Sequence, residues 1–180
     1  MPAAATASEP DIVRRLTVVR HAKSSWKDEG QTDFERPLNR RGERDAPEMG
    51  RRLSNWAERP TLVVASTARR AQQTTEALIA GWTPRPPIVW QPDLYLASAD
   101  QVLASVLDLD AAHLHVMLVG HNPGLMDFAN RFGDAGLESL PTCGVVRLRL
   151  WVPEWSDADW GVAHVEHVDT PKSQAPPGNG

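Results

Sequence analysis

Arg20 and His21 sit side by side at the end of a short β-branched run, Leu16-Thr17-Val18-Val19. A neutral imidazole is a good nucleophile towards phosphorus near physiological pH. A guanidinium fork binds phosphoryl oxygens at two points. Two further polar groups follow apolar runs in the same way. Ser66 closes the second run, and Thr67-Ala68-Arg69-Arg70-Ala71 comes directly after it. Gly120-His121 closes the third, with Asn122-Pro123-Gly124 behind it. Chemistry at phosphorus needs a nucleophile, neutralisation of the phosphoryl oxygens and a means of releasing the leaving group. His21 suits the first task and Arg20 with Arg70 the second. His121, if protonated, adds charge stabilisation in the transition state. One Arg-His pair after a strand carries little weight, but three such groups at three strand ends describe a phosphate pocket.

That convergence requires parallel strands, because open α/β sheets bind ligands beyond the carboxyl ends of their strands. The apolar pattern supplies them. Strands are predicted at 16–20, 62–65, 88–90 and 116–119, with later ones at 145–152 and 161–168. A helix is predicted within 39–56, where Met49, Leu53 and Trp56 recur at helical spacing. Pro47 falls inside it, and Asp45 is a candidate cap for a fresh start with Pro47 in the first turn. Further helices are predicted at 67–80, stopped by Gly81, at 100–109, and from Asn122 as N-cap and Pro123 as first helical residue to about Phe132. Helices opening directly after strands present free N–H groups to an anion. Strands alternating with helices predict an α/β fold, a single three-layer domain with a mainly parallel, doubly wound sheet flanked by helices. The domain is placed at 14–170. Residues 1–13 are expected to be a flexible N-terminal segment, and the Pro- and Gly-rich 171–180 a disordered tail.

Arg20-His21-Ala22-Lys23-Ser24-Ser25-Trp26, Ser66-Thr67-Ala68-Arg69-Arg70-Ala71-Gln72-Gln73-Thr74 and Val119-Gly120-His121-Asn122-Pro123-Gly124, in this order, resemble the histidine phosphatase superfamily with its phosphoglycerate mutase-like fold. Arg36-Pro37-Leu38 followed by Gly42, together with His121-Asn122-Pro123 and the short length, is similar to the small phosphohistidine phosphatases of the SixA type. The resemblance implies His21 as nucleophile through a phosphohistidine intermediate, Arg20 and Arg70 as phosphoryl ligands, and His121 completing the pocket. Arg69 is then the more exposed neighbour. The resemblance also implies an acid between the two halves of the site. Asp93, in Gln91-Pro92-Asp93-Leu94-Tyr95, is the positional match, with a plain turn residue as its rival reading. Ala22 stands where larger relatives have Gly, and Lys27 where sugar-phosphate mutases often have Asn. Lys27 is taken as a further phosphate contact at the mouth of the site, against a solvated loop position. An imidazole leaving group needs less protonation than an alkoxide, so a weak acid is consistent with a phosphohistidine substrate.

Composition narrows the field. The chain of 180 residues has a formal net charge of -4 with its basic residues scattered, which argues against a nucleic-acid partner held by bulk charge. No apolar run reaches membrane-spanning length. Residues 1–10 lack the pattern of a secretory signal. Cys143 is the single cysteine, so no intrachain disulfide forms and a reducing, cytoplasmic compartment is expected. No zinc-type cluster or Gly-rich phosphate loop occurs, and no metal or other cofactor is expected. His113, His115, His164 and His167 read as surface or satisfied side chains, and Cys143 as a small buried residue. The expected function is a metal-independent phosphatase whose partner is a phosphorylated protein carrying phosphohistidine, or a small phosphoramidate. The rivals are a phosphatase of small phosphorylated metabolites and a non-catalytic phosphate- or phosphohistidine-binding module. The sequence carries no signal for an oligomeric state.

Overall fold

Short runs of Val, Leu and Ile pair into one sheet, and helices cover both of its faces. The computed structural model describes residues 12–173. In chain order the elements are β1 (Val13–Arg20), α1 (Arg40–Ser54), β2 (Leu62–Ser66), α2 (Arg69–Ile79), β3 (Ile88–Gln91), α3 (Ala99–Leu107), β4 (His115–Gly120), α4 (Gly124–Phe132), β5 (Val145–Trp151) and β6 (His164–Asp169). The strand order is β3-β2-β4-β1-β5-β6. The first four strands run parallel, while β5 pairs antiparallel with β1 and β6 antiparallel with β5. The result is the predicted α/β domain with a mixed, mostly parallel sheet.

The central strands β2, β4 and β1 are buried on both faces, so they read as continuous apolar runs. Val63, Ala65, Met117, Val119 and Val19 face Met49 and Leu53 of α1 and Leu78 and Ile79 of α2. Leu16, Val18, Val64, Val116 and Leu118 belong to the opposite core, with Val102 and Val106 of α3 and Phe128 and Phe132 of α4. Alternation along each strand thus feeds two separate cores. The chain leaves β1, crosses β4 to reach β2, and later returns between them. The carboxyl ends of β1, β4 and β2 therefore lie side by side.

Three local expectations are corrected. Helix α1 does not restart at Asp45. It is one continuous helix capped by Asn39, whose side chain accepts from the Gly42 N–H at 3.0 Å. Pro47 removes one backbone donor, but the buried stripe Ala46, Met49 and Leu53 holds the helix together past it. Asp45 is itself buried and accepts hydrogen bonds from the Arg41 and Arg44 side chains. Asn122 is not the cap of α4. The helix begins at Gly124, Pro123 takes the cap position, and the Asn122 amide instead donates to the Leu140 carbonyl at 3.0 Å. Finally, β1 begins at Val13, inside the segment expected to be flexible, and residues 171–173 form a turn in which the Ser173 N–H donates to the Thr170 carbonyl. The rest of the expected terminal segments, 1–11 and 174–180, lies outside the described residues.

Gly50 sets the approach of α1 to α2. A Cβ at this position would stand 2.1 Å from the Leu78 carbonyl oxygen, a backbone atom that cannot yield without moving α2. Alanine in an unhindered helix interior stabilises by up to about 1 kcal/mol over glycine. Here overpacking reverses the sign, and Gly50→Ala is expected to lose about 1–3 kcal/mol in urea unfolding.

Candidate active site

The site is built at the carboxyl ends of β1, β4 and β2. Gly120 pairs with Arg20 across β4 and β1, and the His21 N–H donates to the Gly120 carbonyl at 2.9 Å. That register brings His21 and His121 together, with ring centroids 5.1 Å apart. Arg70 rises from the first turn of α2 and reaches both rings. Thr74 ties the helix to the strand end, accepting from the Ala22 N–H at 2.9 Å and donating to the Arg70 carbonyl at 2.6 Å.

Hydrogen bonds fix both tautomers, because a guanidinium only donates. Arg70 Nε donates to His21 Nε2 at 3.3 Å, so Nε2 carries a lone pair. The His21 Nδ1–H donates to the Ala22 carbonyl at 2.7 Å. An Arg70 terminal amino group likewise meets His121 Nδ1 at 3.3 Å, which leaves His121 Nε2–H to donate to Ser66 Oγ at 2.7 Å. Burial, joined by the positive charges of Arg70, Arg20 and Arg36, lowers His21 to about 4 despite its backbone hydrogen bond. Burial, then the neighbouring His21 and Arg70, lowers His121 to about 3. Both rings are neutral at physiological pH. The condition set for His121 from sequence, a protonated ring, is therefore not met in this environment.

The cleft around these groups has a volume of about 300 Å³ and is lined by Arg20, His21, Lys23, Arg36, Arg70 and His121 among others. Of the expected site residues, Arg20, His21, Arg70 and His121 all line it, and Arg70 is buried whereas Arg69 is exposed. Arg20 donates to the Leu140 carbonyl at 2.8 Å, and its buried Nε has no partner among the described residues. Asp93 and Lys27 do not line the cleft. Asp93 lies on the exposed side of a 3-10 turn, Pro92–Leu94, and Lys27 is exposed on the loop after β1, where Lys23 takes the place at the cleft.

The acid in the cleft is Asp33. It sits in a single 3-10 turn, Asp33–Glu35, within the loop joining β1 to α1. Its carboxylate accepts from Arg70 at 3.0 Å, from Arg36 at 2.8 Å and from the Tyr95 hydroxyl at 2.7 Å. Partial burial pushes its pKa up, but the Tyr95 hydrogen bond and the Arg70 and Arg36 charges outweigh this and bring it to about 2. Arg36 is buried, donates to Ser24 Oγ at 2.8 Å, and stacks 3.4 Å from the centroid of the Trp26 ring. Sequence reasoning missed Asp33 and gave Arg36 no role. The available signal was their spacing of three residues, which places both side chains on one side of a 3-10 turn. Among the described residues, no cluster of three His, Cys, Asp or Glu side chains is arranged to hold a metal. No helix among them is long and apolar enough to cross a membrane.

With this geometry in place, likeness to known proteins is informative. The family model of the histidine phosphatase superfamily (branch 1) matches residues 16–95, the segment that carries Arg20, His21, Asp33, Arg36 and Arg70. The chain belongs to this superfamily. Two structures ascribed to the phosphohistidine phosphatase SixA share its fold. One is from Nakamurella multipartitia, with 25% identity, a TM-score of 0.77 and coverage of 89% of this chain and 98% of that one. The other is from Agrobacterium tumefaciens, with 27% identity, a TM-score of 0.74 and coverage of 88% and 98%. An uncharacterized protein of Mycobacterium tuberculosis is 30% identical over 164 residues, which cover 86% of this chain and 100% of that protein.

The buried imidazoles also couple stability to pH. His21, His115 and His121 are all lowered below 6.5 chiefly by burial, to about 4, about 3 and about 3. Below pH 6.5 the unfolded chain takes up protons that the folded chain does not, so stability is lost as pH falls. Urea unfolding is expected to give a smaller free energy at about pH 5 than at about pH 7. Equal values at the two pH settings would contradict neutral burial of these rings.

Proposed function

We propose that the chain is a metal-independent phosphatase that works through a phosphohistidine intermediate on His21, with phosphohistidine as its favoured substrate. One observation carries this reading: His21 Nε2 carries a lone pair in a cleft that also holds the guanidinium groups of Arg20, Arg36 and Arg70. The nucleophile needs no base to activate it, because the ring is neutral and its proton is committed to the Ala22 carbonyl.

In the first step, Nε2 forms a bond to phosphorus as the bond from phosphorus to the leaving nitrogen or oxygen breaks. Arg20, Arg36 and Arg70 neutralise the phosphoryl oxygens through the transfer, a task that suits the guanidinium fork. His121 contributes as a neutral ring. Its Nε2–H is engaged by Ser66 and its Nδ1 helps to fix Arg70. In the second step, water adds to phosphorus, the bond from phosphorus to Nε2 breaks, and inorganic phosphate leaves with His21 neutral again.

The leaving group decides between substrates. Asp33 is ionised at neutral pH and holds no proton to give, and Asp93 stands outside the cleft. An alkoxide would depart unassisted, whereas an imidazole is a much better leaving group and is protonated by solvent. This favours a phosphoramidate over an alkyl phosphoester. The cleft mouth is open, with Trp26 71% exposed and Leu96 56% exposed beside it, which suits a phosphorylated residue presented by another protein.

Phosphate release from a phosphohistidine peptide, with EDTA present, tests the proposal. Turnover is expected in the wild type, and a loss of at least about a thousandfold in His21→Ala, the scale seen when a covalent nucleophile is removed. Small alkyl phosphoesters are expected to be poor substrates under the same conditions. Turnover of phosphoesters but not of the peptide would move the substrate to small metabolites. Phosphate binding without any turnover would make the chain a binding module.

A further inference from the structure

Asp33 is the only acid among the described residues that line the cleft, and it is not idle. Arg70 directs one amino group to the Asp33 main-chain carbonyl and the other to the Asp33 carboxylate. Arg36 gives its Nε and a terminal amino group to the other carboxylate oxygen, at 3.0 and 2.8 Å. Tyr95 adds a hydroxyl donor at 2.7 Å. A guanidinium has five N–H donors. Arg70 commits four contacts, to Asp33 twice, to His21 and to His121. A phosphoryl dianion cannot gain a two-point grip on Arg70 while Asp33 keeps these donors.

We infer that Asp33 is a specificity-determining residue: a built-in anion that competes with phosphoryl oxygens for Arg70 and Arg36 and so weakens the binding of free phosphate. The inference rests on the reading of the cleft as a phosphoryl site. A bare phosphate offers only its own charge and hydrogen bonds to displace Asp33. A larger substrate also touches the apolar rim at Trp26 and Leu96, and that contact helps to drive the exchange. Asp33 lies on a loop rather than in the sheet. The Ser24–Leu38 bridge closes that loop at its base, so the exchange asks for movement of the loop tip and not of β1 or α1. The inorganic phosphate released by hydrolysis is therefore held weakly, which favours its departure.

A merely structural role for Asp33 predicts the opposite sign. If the carboxylate only pinned Arg70 in place, its loss would loosen the arginine and weaken phosphate binding. Calorimetric titration with inorganic phosphate separates the two. Asp33→Asn is expected to bind phosphate about tenfold more tightly than the wild type, the scale of one charge-assisted hydrogen-bonded contact. Tyr95→Phe removes one donor that holds the carboxylate, and is expected to tighten binding in the same direction by about two- to threefold. It serves as the second variant should Asp33→Asn fold poorly. Phosphate binding that is unchanged or weaker in these variants overturns the inference. The titration needs no turnover, so a failure of the phosphatase reading would show in the peptide assay alone.

Discussion

A full positive charge held almost out of water is the constraint around which this site is arranged. The Arg70 side chain is 2% exposed. Such a charge is tolerated only where lone pairs surround it and an opposite charge lies near. Three neighbours meet that demand: the Asp33 carboxylate, His21 Nε2 and His121 Nδ1. The demand in turn fixes their states. A proton on either imidazole nitrogen facing Arg70 would set donor against donor. Both rings are therefore neutral and both tautomers determined, and Asp33 is ionised. Placing the guanidinium thus leaves His21 with its Nε2 lone pair on the cleft side, as the proposed nucleophile requires.

The fold supplies the precision that this arrangement needs. Parallel pairing of β1 with β4 sets Arg20 opposite Gly120, and the two histidines follow at corresponding positions. Helix α2 starts directly beyond β2, so Arg70 is delivered from a rigid first turn rather than from a loop. Ser66, at the end of β2, orients His121. Strand and helix ends give these groups rigid supports, which is what charge stabilisation at a site requires. The long loop between β1 and α1 contributes a different layer of the cleft lining, Asp33, Arg36 and Trp26.

Much of this was legible in the sequence because it depends on short-range pattern. The apolar runs at β1, β2 and β4 are buried on both faces, so they stand out without any partner being known. Arg20, His21, Arg70 and His121 sit at the ends of those runs, where topology brings them together. The continuity of α1 was not legible. A proline inside a helix predicts a break, and the packing of Ala46, Met49 and Leu53 in the core, distant in sequence from its partners, outweighs it. Asn122 was misread for the same kind of reason, since its preference for a cap is overridden by the Leu140 carbonyl, distant in sequence. The carboxylate was the largest miss. Asp93 matched by position along the chain, but it lies on the outer side of its turn, and Tyr95 two residues later points inward to Asp33. Asp33 belongs to a polar stretch without periodicity, where one residue type gives no indication of which way it faces.

The proposed reaction transfers a phosphoryl group to His21 Nε2. The most direct measurement is to quench the reaction with a phosphohistidine peptide in alkali, digest the protein, and map the bound phosphate by mass spectrometry. An acid-labile, alkali-stable phosphoryl group is expected on His21 and on no other residue. Steady turnover with the phosphate mapped to a different residue, or with no phosphorylated protein at any time point, would contradict it.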